Sequence, residues 1–337
     1  MSTEPVNRTI RIQTGARLHF GPLSYHPIQG RHFGGIGMMI DSPGWDLELS
    51  HPVSLTAKPT GHVVGEERDR VAEVLNRFRT SALSSCTSLN AQIRILRSLK
   101  SHQGLGSGTQ LALALGTGLC LLAGHHVDPR ELAHWFGRGR RSMIGLTGFA
   151  TGGFLVDGGQ ERPGTLGTLA CRVEIPSDWR FVLIAPGDTG AEVGLCGEPE
   201  QRAFQHLAPM AIEVTQQLCQ LVVMQLLPAL HAKRCDLFAA ALEQYGRLVG
   251  EFFRPVQGGI FAAPPMRALV ERLSEAGVVG MAQTSWGPTV VIPAGSQSLA
   301  ESLEREVQQL AQQPVTTHIA APRNVGVQPV PAETIGT

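Results

Sequence analysis

The chain has 337 residues, of which 42% are hydrophobic, and its 28 Lys+Arg balance its 28 Asp+Glu. A chain of this size and apolar content can build one large or two ordinary domains without disulfide support. Balanced charge gives no global field that attracts nucleic acid or an anionic membrane, so any anion site must come from a local cluster.

Cysteine usage and the N-terminal sequence bear on where the protein works. The six cysteines contain no CxxC pair, which argues against disulfides and a structural zinc site. The first residues lack the apolar core of a signal peptide, and no stretch approaches the roughly 18 apolar residues of a membrane span. We therefore expect a cytoplasmic protein that binds neither nucleic acid nor membrane. The sequence leaves a homodimer open.

Strands dominate the first hundred residues. Alternating apolar residues predict a strand over residues 9–20, and residues 36–40 and 45–49 predict two more around a turn. Apolar positions at helical spacing predict a helix over residues 66–78. Alternation returns over residues 90–96, just before a glycine-rich segment.

A buried helix follows that segment. Residues 109–123 are almost all apolar, which is typical of a helix enclosed in a core. Asp128 and Pro129 cap and start a second helix that we expect to reach about Arg141. A strand is predicted over residues 151–157, and the Pro/Gly-bearing stretch 158–168 marks a domain boundary.

The second half favours an antiparallel sheet backed by helices. We predict an α+β protein with two domains, residues 1–165 and 166–337. The last ten or so residues, which contain Pro329 and Pro331, are expected to be a loose tail. Expected strands cover residues 181–185, 278–284, 289–292 and 315–319, and expected helices cover 200–230 (interrupted at Pro209 and Pro228), 236–251, 265–276 and 298–312.

Three glycines alternate immediately before the buried helix, in the sequence HQGLGSGT. Glycine lets backbone N–H groups approach a ligand, and a helix N-terminus adds unpaired donors and a positive dipole end, so this loop favours a phosphate. The spacing fits neither a Walker loop nor a dinucleotide fingerprint. An ordinary glycine turn with Ser107 or Thr109 as N-cap is the alternative. The candidate phosphate ligands are His102, Gly104, Leu105, Gly106, Ser107, Gly108 and Thr109.

Two basic groups are further candidates. Arg138, Arg140 and Arg141 lie beside two glycines, and their guanidiniums match phosphate and carboxylate geometry. A solvated helix end explains the same cluster. Arg17 and His19 share one face of a strand, which an exposed strand explains equally well.

Asp41 and Asp157 each end an apolar strand just before a turn. From that position a carboxylate can reach magnesium or a developing cation. Turn formation is the alternative for both residues.

Three segments resemble the motifs of the GHMP small-molecule kinase superfamily in the matching order. ARLHFG (16–21) resembles the first motif, GLGSG (104–108) the second, and residues 280–291 with Ser285, Trp286 and Gly287 the third. The resemblance implies a GHMP-kinase-like two-domain fold. Its N-terminal mixed α/β domain would carry the glycine loop, and a ferredoxin-like C-terminal α/β sandwich would complete the substrate cleft.

Within that superfamily the chain resembles the β-ribofuranosylaminobenzene 5′-phosphate synthases. The resemblance rests on the segments GGIGMMID (34–41), QGLGSGTQLALA (103–114), GRGRRSMIG (137–145) and GGFLVDGG (152–159). It implies the decarboxylating condensation of phosphoribosyl pyrophosphate with 4-aminobenzoate in tetrahydromethanopterin biosynthesis. It further implies Mg²⁺, no nicotinamide, flavin or pyridoxal phosphate, and a catalytic role for Arg17, His19 and Asp157, with Asp41 as the candidate metal ligand.

Departures from the kinase motifs put an ATP site in doubt. Gly108 replaces the second serine, Ser101 and His102 stand where a proline is expected, and Trp286 is bulky where small residues are typical. Two alternatives remain: an ATP-dependent kinase with Asp157 or another acid as base, and a non-catalytic metabolite-binding protein. Residues 186–200 are a candidate lid.

Overall fold

The computed structural model describes residues 9–50, 66–81, 91–187 and 202–332. In those ranges no helix has both the length and the apolar character needed to cross a membrane. The strands are β1 (Thr9–Gln13), β2 (Ala16–His19), β3 (Gly35–Ile40), β4 (Asp46–Ser50), β5 (Gln92–Arg97), β6 (Phe154–Asp157), β7 (Leu169–Val173), β8 (Arg180–Pro186), β9 (Ala282–Gln283), β10 (Val290–Ala294), β11 (Val315–Ala320) and β12 (Val330–Ala332). The helices are α1 (Glu66–Ser81), α2 (Ser107–Leu122), α3 (Pro129–Trp135), α4 (Ile144–Thr151), α5 (Ile212–Leu221), α6 (Leu227–His231), α7 (Cys235–Gln257), α8 (Pro264–Glu275) and α9 (Gln297–Leu310), with a π-helical turn between α5 and α6.

The N-terminal part has two antiparallel sheets, of strand order β12-β1-β4-β5 and β2-β3-β6-β7. Helix α2 packs on β1 and β4, and α4 packs on β3 and β6. Small residues allow the close approach: a Cβ added to Gly118 of α2 would lie 2.8 Å from Leu49 Cδ1, and one on Gly148 of α4 would lie 2.5 Å from Met39. The buried helix predicted after the glycine loop is confirmed as α2.

The predicted first strand is two strands in different sheets. It breaks at Gly15, where an added Cβ would lie 1.8 Å from the carbonyl oxygen of Ile40, so only glycine fits. Thr14 leaves the ladder to donate its N–H to the carbonyl of Trp45. The break turns β2 toward the glycine loop.

The helix that starts at Asp128 is shorter than predicted. Asp128 caps it through Arg130 N–H as expected, but it ends at Trp135 because Gly137 and Gly139 have φ values of +61° and +77°. The arginines therefore lie in a loop, residues 138–141, which we call the arginine loop. The following helix α4 was not predicted from the sequence. It ends at Thr151, and the strand expected over residues 151–157 begins only at Phe154, after two glycines with positive φ.

The C-terminal sheet has the order β11-β8-β10-β9 and is antiparallel. Strand β8 alternates between two cores, since Phe181 and Leu183 face the α7 side while Val182 and Ile184 face α8 and α9. Helices thus cover both faces of the sheet. The strand predicted over residues 278–284 is reduced to two residues, because the chain turns into a loop at Thr284.

Part of the loose tail predicted for the last ten or so residues is a strand, and residues 333–337 lie outside the described ranges. Val330, Pro331 and Ala332 pair with β1 at the edge of the first sheet, where the missing N–H of proline costs little. On the way the chain hydrogen-bonds to Met39 and Gly153 of the N-terminal part. Strand β7 also pairs with β6, on the N-terminal side of the molecule.

Candidate active site

Three segments that are far apart in sequence meet at the start of α2. Arg17 of β2 donates its N–H to the carbonyl of Leu105 at 3.0 Å. Thr284 Oγ donates to the carbonyl of Gly104 at 3.0 Å and accepts from the N–H of His19 at 3.0 Å. Ser285 N–H donates to the carbonyl of His19. The fully buried hydroxyl of Thr284, which was not singled out in the sequence, thereby joins both domains at the glycine loop.

The glycine loop (residues 102–109) has a backbone that needs glycine. Gly104 and Gly106 have φ values of +72° and +73°, and Gly106 is the N-cap of α2 with no side-chain cap bond. A Cβ on Gly104 would lie 2.4 Å from the carbonyl oxygen of Thr284. The first-turn residues Ser107, Gly108 and Thr109 line an open cavity, so the positive end of the helix dipole faces it.

A cavity of about 1090 Å³ lies in front of the loop. It is strongly cationic: among the described residues that line it, seven are Arg or Lys and only Glu73 is acidic. Such a surface suits a ligand with several negative charges. The predicted site residues that line it are Arg17, His19, His102, Gly104, Leu105, Gly106, Ser107, Gly108, Thr109, Arg138, Arg140, Arg141, Ser285, Trp286 and Gly287; Arg70, Arg77 and Lys100 were not foreseen.

Two guanidiniums flank the loop. A Cβ on Gly106 would lie 2.7 Å from Arg17 Nε, and one on Gly108 would lie 3.5 Å from Arg138 Nη2. Both arginines therefore sit within ligand reach of the first-turn amides. A phosphate held there can meet backbone N–H groups and two forked cations together.

The Ser107 hydroxyl is engaged within the protein. It donates to the carbonyl of Leu99 at 2.6 Å and accepts from the guanidinium of Arg70, and its residue is only 7% exposed. Arg70 also lies over the ring of Trp45, whose indole N–H donates to the Ser107 carbonyl. The side chain of Ser107 thus fixes the start of α2, while its N–H belongs to the first turn.

His19 is held neutral. Burial, with a smaller contribution from the charge of Arg17, lowers the pKa of its imidazole well below the usual value. Its Nε2 is buried without a hydrogen-bond partner, next to the backbone of Gly35. The imidazole therefore lines the cavity without adding a positive charge to it.

Asp157 does not line the cavity. Its carboxylate, 1% exposed, accepts from the N–H of Met143 at 2.7 Å and from the N–H of Gly159 at 2.9 Å. Burial raises its pKa, opposed by these two bonds and by Arg31. Since Met143 lies two residues after the arginine loop, the contact that Asp157 makes with it helps to position this loop.

Asp41 also lies away from the cavity. It accepts from Ser42 Oγ and from the N–H of Ala321, as a turn residue does. Glu73, the carboxylate at the cavity, is ion-paired with Arg77 at 2.9 Å. No cluster of three or more His, Cys, Asp or Glu exists in the described ranges. The described residues therefore include no cluster that would hold a metal ion by itself, and a magnesium ion carried mainly by the pyrophosphate substrate stays a prediction.

One side of the cavity is aromatic. Trp286, 5% exposed, packs against Phe204 at 5.2 Å and Phe253 at 4.4 Å between ring centroids. Phe204 in turn packs against Tyr25 and Phe33. We call Tyr25, Phe33, Phe204, Phe253 and Trp286 the aromatic cluster. Only Trp286 was predicted, because the other rings come from separate segments whose sequence is indistinguishable from core. The lid predicted over residues 186–200 lies almost wholly outside the described residues.

Two family models match the chain. The model "GHMP kinases N terminal domain" matches residues 69–153, which include the glycine loop, and "GHMP kinases C terminal" matches residues 226–312, which include Thr284 and Trp286.

Curated relatives share one name. The β-ribofuranosylphenol 5′-phosphate synthase of Archaeoglobus fulgidus is 29% identical over 265 residues, 71% of this chain and 80% of that protein. The synthase of the same name from Methanothermobacter thermautotrophicus is 27% identical and covers 83% and 87%.

Solved structures share the fold. Homoserine kinase from Cytophaga hutchinsonii aligns with a TM-score of 0.61 at 14% identity, covering 98% of this chain and 100% of that one. Mevalonate diphosphate decarboxylase from Staphylococcus aureus aligns with a TM-score of 0.58 at 12% identity, covering 96% and 98%.

Proposed function

Because the chain belongs to the GHMP kinase family, we propose that it is a synthase of that family, which joins phosphoribosyl pyrophosphate to a para-substituted benzoate and releases carbon dioxide and pyrophosphate. The observation that carries the proposal is the cationic cavity in front of the glycine loop, whose lining also includes the aromatic side chains of Phe33, Phe204 and Trp286. The shared name of the relatives, a ribofuranosylphenol phosphate synthase, supports the same reaction class. Membership of a kinase family does not require an ATP reaction, since function lies in the site.

The proposed chemistry balances without a redox cofactor. The bond between ribose C1 and the pyrophosphate oxygen breaks, and its electron pair leaves with pyrophosphate while C1 gains oxocarbenium character. The ring carbon that bears the carboxylate bonds to C1. The carbon–carboxylate bond then breaks, its electron pair restores the aromatic ring, and carbon dioxide departs. No net proton is taken up or released.

The chain's own groups would act by position and charge. The first-turn amides of α2, with Arg17 and Arg138, would hold phosphate oxygens and offset the charge of the leaving group. Neutral His19 would bond a ribose hydroxyl without placing a further cation beside C1. Asp157 would act indirectly, by holding the arginine loop through Met143.

Two acceptors fit the chemistry. The sequence resemblance predicts 4-aminobenzoate, whereas a ribofuranosylphenol product, as in the relatives' name, requires 4-hydroxybenzoate. Both carry a para group that donates electrons to the attacking ring carbon. We propose that the site accepts this class of benzoate and that such a riboside serves the methanopterin pathway.

Release of labelled carbon dioxide tests the function. Carboxyl-labelled 4-aminobenzoate and 4-hydroxybenzoate are each incubated with phosphoribosyl pyrophosphate, and labelled ATP is tested in parallel on small alcohol substrates. We expect carbon dioxide release that requires phosphoribosyl pyrophosphate. Phosphoryl transfer from ATP without carbon dioxide release would establish the kinase alternative instead. Tight binding of the substrates by folded protein with no turnover would establish a non-catalytic protein.

A further inference from the structure

A second cavity opens beside the first. It measures about 470 Å³ and shares Phe33, Arg141 and Phe204 with the main cavity. The residues that line only the second cavity lie beyond this common rim. They are Tyr25, His26, His32, Pro163 and Gln205.

The rings of this cavity are held in place. The Tyr25 hydroxyl donates to the carbonyl of Phe204 at 2.5 Å, and the two ring centroids are 5.5 Å apart. Phe33 packs on both rings, with centroid distances of 5.8 Å to Tyr25 and 5.9 Å to Phe204. Burial raises the pKa of Tyr25, so its hydroxyl remains a donor at neutral pH. A flat ligand would meet a preformed slot and lose little conformational entropy of the protein.

One cation stands at the rim. The half-buried Arg141 lies over the ring of Phe204, with its guanidinium carbon 5.2 Å from the ring centroid. A guanidinium has five N–H donors and can bind a carboxylate while it stacks. The low dielectric of the aromatic surroundings strengthens that interaction.

We infer that this second cavity is the subsite for the aromatic carboxylic acid, with the ligand ring packed against the wall that Phe33 and Phe204 form and the carboxylate on Arg141. The assignment rests on the proposed function for its reaction, and the rings with the neighbouring guanidinium favour a flat aromatic acid as the ligand. A phosphate alone would leave the rings unused.

This arrangement also orients the reacting carbon. The carboxylate and the attacking ring carbon are adjacent, so a fork at the shared rim turns that carbon toward the main cavity and the ribose. The para substituent then points to the far end, where the imidazoles of His26 and His32 lie 5.8 Å apart. A polar para group would meet polar partners there.

Calorimetric titration separates the two subsites. The wild-type protein is titrated with 4-hydroxybenzoate, with its neutral analogue 4-hydroxybenzamide and with phosphoribosyl pyrophosphate, and so is Arg141→Gln. We expect wild-type protein to prefer the benzoate, and Arg141→Gln to bind it about 10- to 100-fold more weakly, as for loss of a charged hydrogen bond. Affinity for the benzamide and for phosphoribosyl pyrophosphate should change less than threefold. Arg234→Gln, an exposed arginine paired with Asp236 elsewhere, is the control.

Three results would overturn the assignment. They are equal wild-type affinity for benzoate and benzamide, a loss in Arg141→Gln confined to phosphoribosyl pyrophosphate, and displacement of the benzoate by ATP but not by benzoate analogues. The first needs no variant, so it stands even where Arg141→Gln does not fold. Benzoate binding that depends on Arg141, with no carbon dioxide release in the turnover assay, would support the subsite and defeat the proposed reaction.

Discussion

The two ends of the cavity are built from different parts of the chain. At the glycine-loop end, backbone amides of consecutive residues and flanking guanidiniums face the ligand space. At the aromatic end, the rings of Tyr25, Phe33 and Phe204 line the second cavity, and the Arg141 guanidinium lies over the ring of Phe204. The first end can recognise charge on any phosphate, whereas the second can recognise the shape of one ring. The difference teaches that specificity within a shared fold can reside in the side chains opposite a common anion loop.

The largest effect should come from the backbone of the glycine-loop end. Gly106→Ala adds a Cβ 2.7 Å from Arg17 Nε at a φ of +73°, so the loop and the arginine must both shift. We expect kcat/KM for phosphoribosyl pyrophosphate to fall about 100-fold, which corresponds to about 2.7 kcal/mol. Steady-state kinetics of carbon dioxide release measure it.

A matched glycine provides the control. Gly124, just beyond the other end of α2, has a similar φ of +79° but nothing within 4 Å of an added Cβ. Gly124→Ala therefore carries the same backbone strain, of about 1 kcal/mol, without a clash at the cavity. Equal loss of activity in both variants would show that strain alone, and no ligand contact, explains the result.

The next effect should separate the two ends. Arg138→Gln removes a fork beside Gly108, and we expect the KM for phosphoribosyl pyrophosphate to rise about 30-fold while the KM for the benzoate changes little. Arg141→Gln should show the reverse pattern. If both variants raise both KM values equally, the two arginines do not bind different substrates, and the proposed difference between the two ends of the cavity is wrong.

A smaller effect concerns pH. Because the pKa of His19 is lowered in the folded protein, its imidazole stays neutral at pH 6.5 and above. Protonation favours the unfolded state, so the stability that depends on neutral His19 is present above about pH 6.5 and is lost as pH falls further. We expect kcat/KM to stay level from pH 8 to 6.5 and to decline only below that.

His19→Gln tests the origin of that decline. The variant should lose about tenfold in kcat/KM, as for one hydrogen bond, and its acid limb should disappear. If kcat/KM of the wild-type protein had already fallen to its low-pH value at pH 6.5, and His19→Gln abolished that fall, the result would contradict the lowered pKa of His19.

The smallest effect should be at Ser107. Since its hydroxyl serves Leu99 and Arg70, Ser107→Ala should lower the free energy of unfolding by about 1 kcal/mol and activity only a few-fold. Chemical denaturation and kinetics on the same preparation measure both. An activity loss as large as that of Gly106→Ala, at unchanged stability, would make the hydroxyl a phosphate ligand.

The glycine-loop end could be predicted from sequence because its determinants are adjacent. Alternating glycines before an apolar helix predict both the tight turn and the helix N-terminus that follows it. The order of the three motifs predicts that this loop meets β2 and residues 284–287. The aromatic end could not be predicted, since Phe204 and Tyr25 are 179 residues apart and an aromatic residue in a core has the same local pattern.

The roles of the two strand-ending aspartates, Asp41 and Asp157, could not be predicted from the sequence. A carboxylate that ends a strand before a glycine can face a ligand or can accept amides of its own turn. The hydrogen bonds of Asp157 to Met143 and Gly159 decide this in three dimensions, and nothing in the residue order does. The sequence likewise predicts helix through the arginine loop. The positive φ values of Gly137 and Gly139, which end the helix before this loop, are not visible in the residue order.

The most direct measurement follows all products of one reaction. Carboxyl-labelled benzoate and phosphoribosyl pyrophosphate are incubated with the wild-type protein, Gly106→Ala and Gly124→Ala, and carbon dioxide, pyrophosphate and riboside are counted together. We predict equal amounts of the three products with wild-type protein and Gly124→Ala, and about 100-fold slower formation of all three with Gly106→Ala. Pyrophosphate release without carbon dioxide, or equal rates for all three proteins, would contradict a decarboxylating condensation held on the glycine loop.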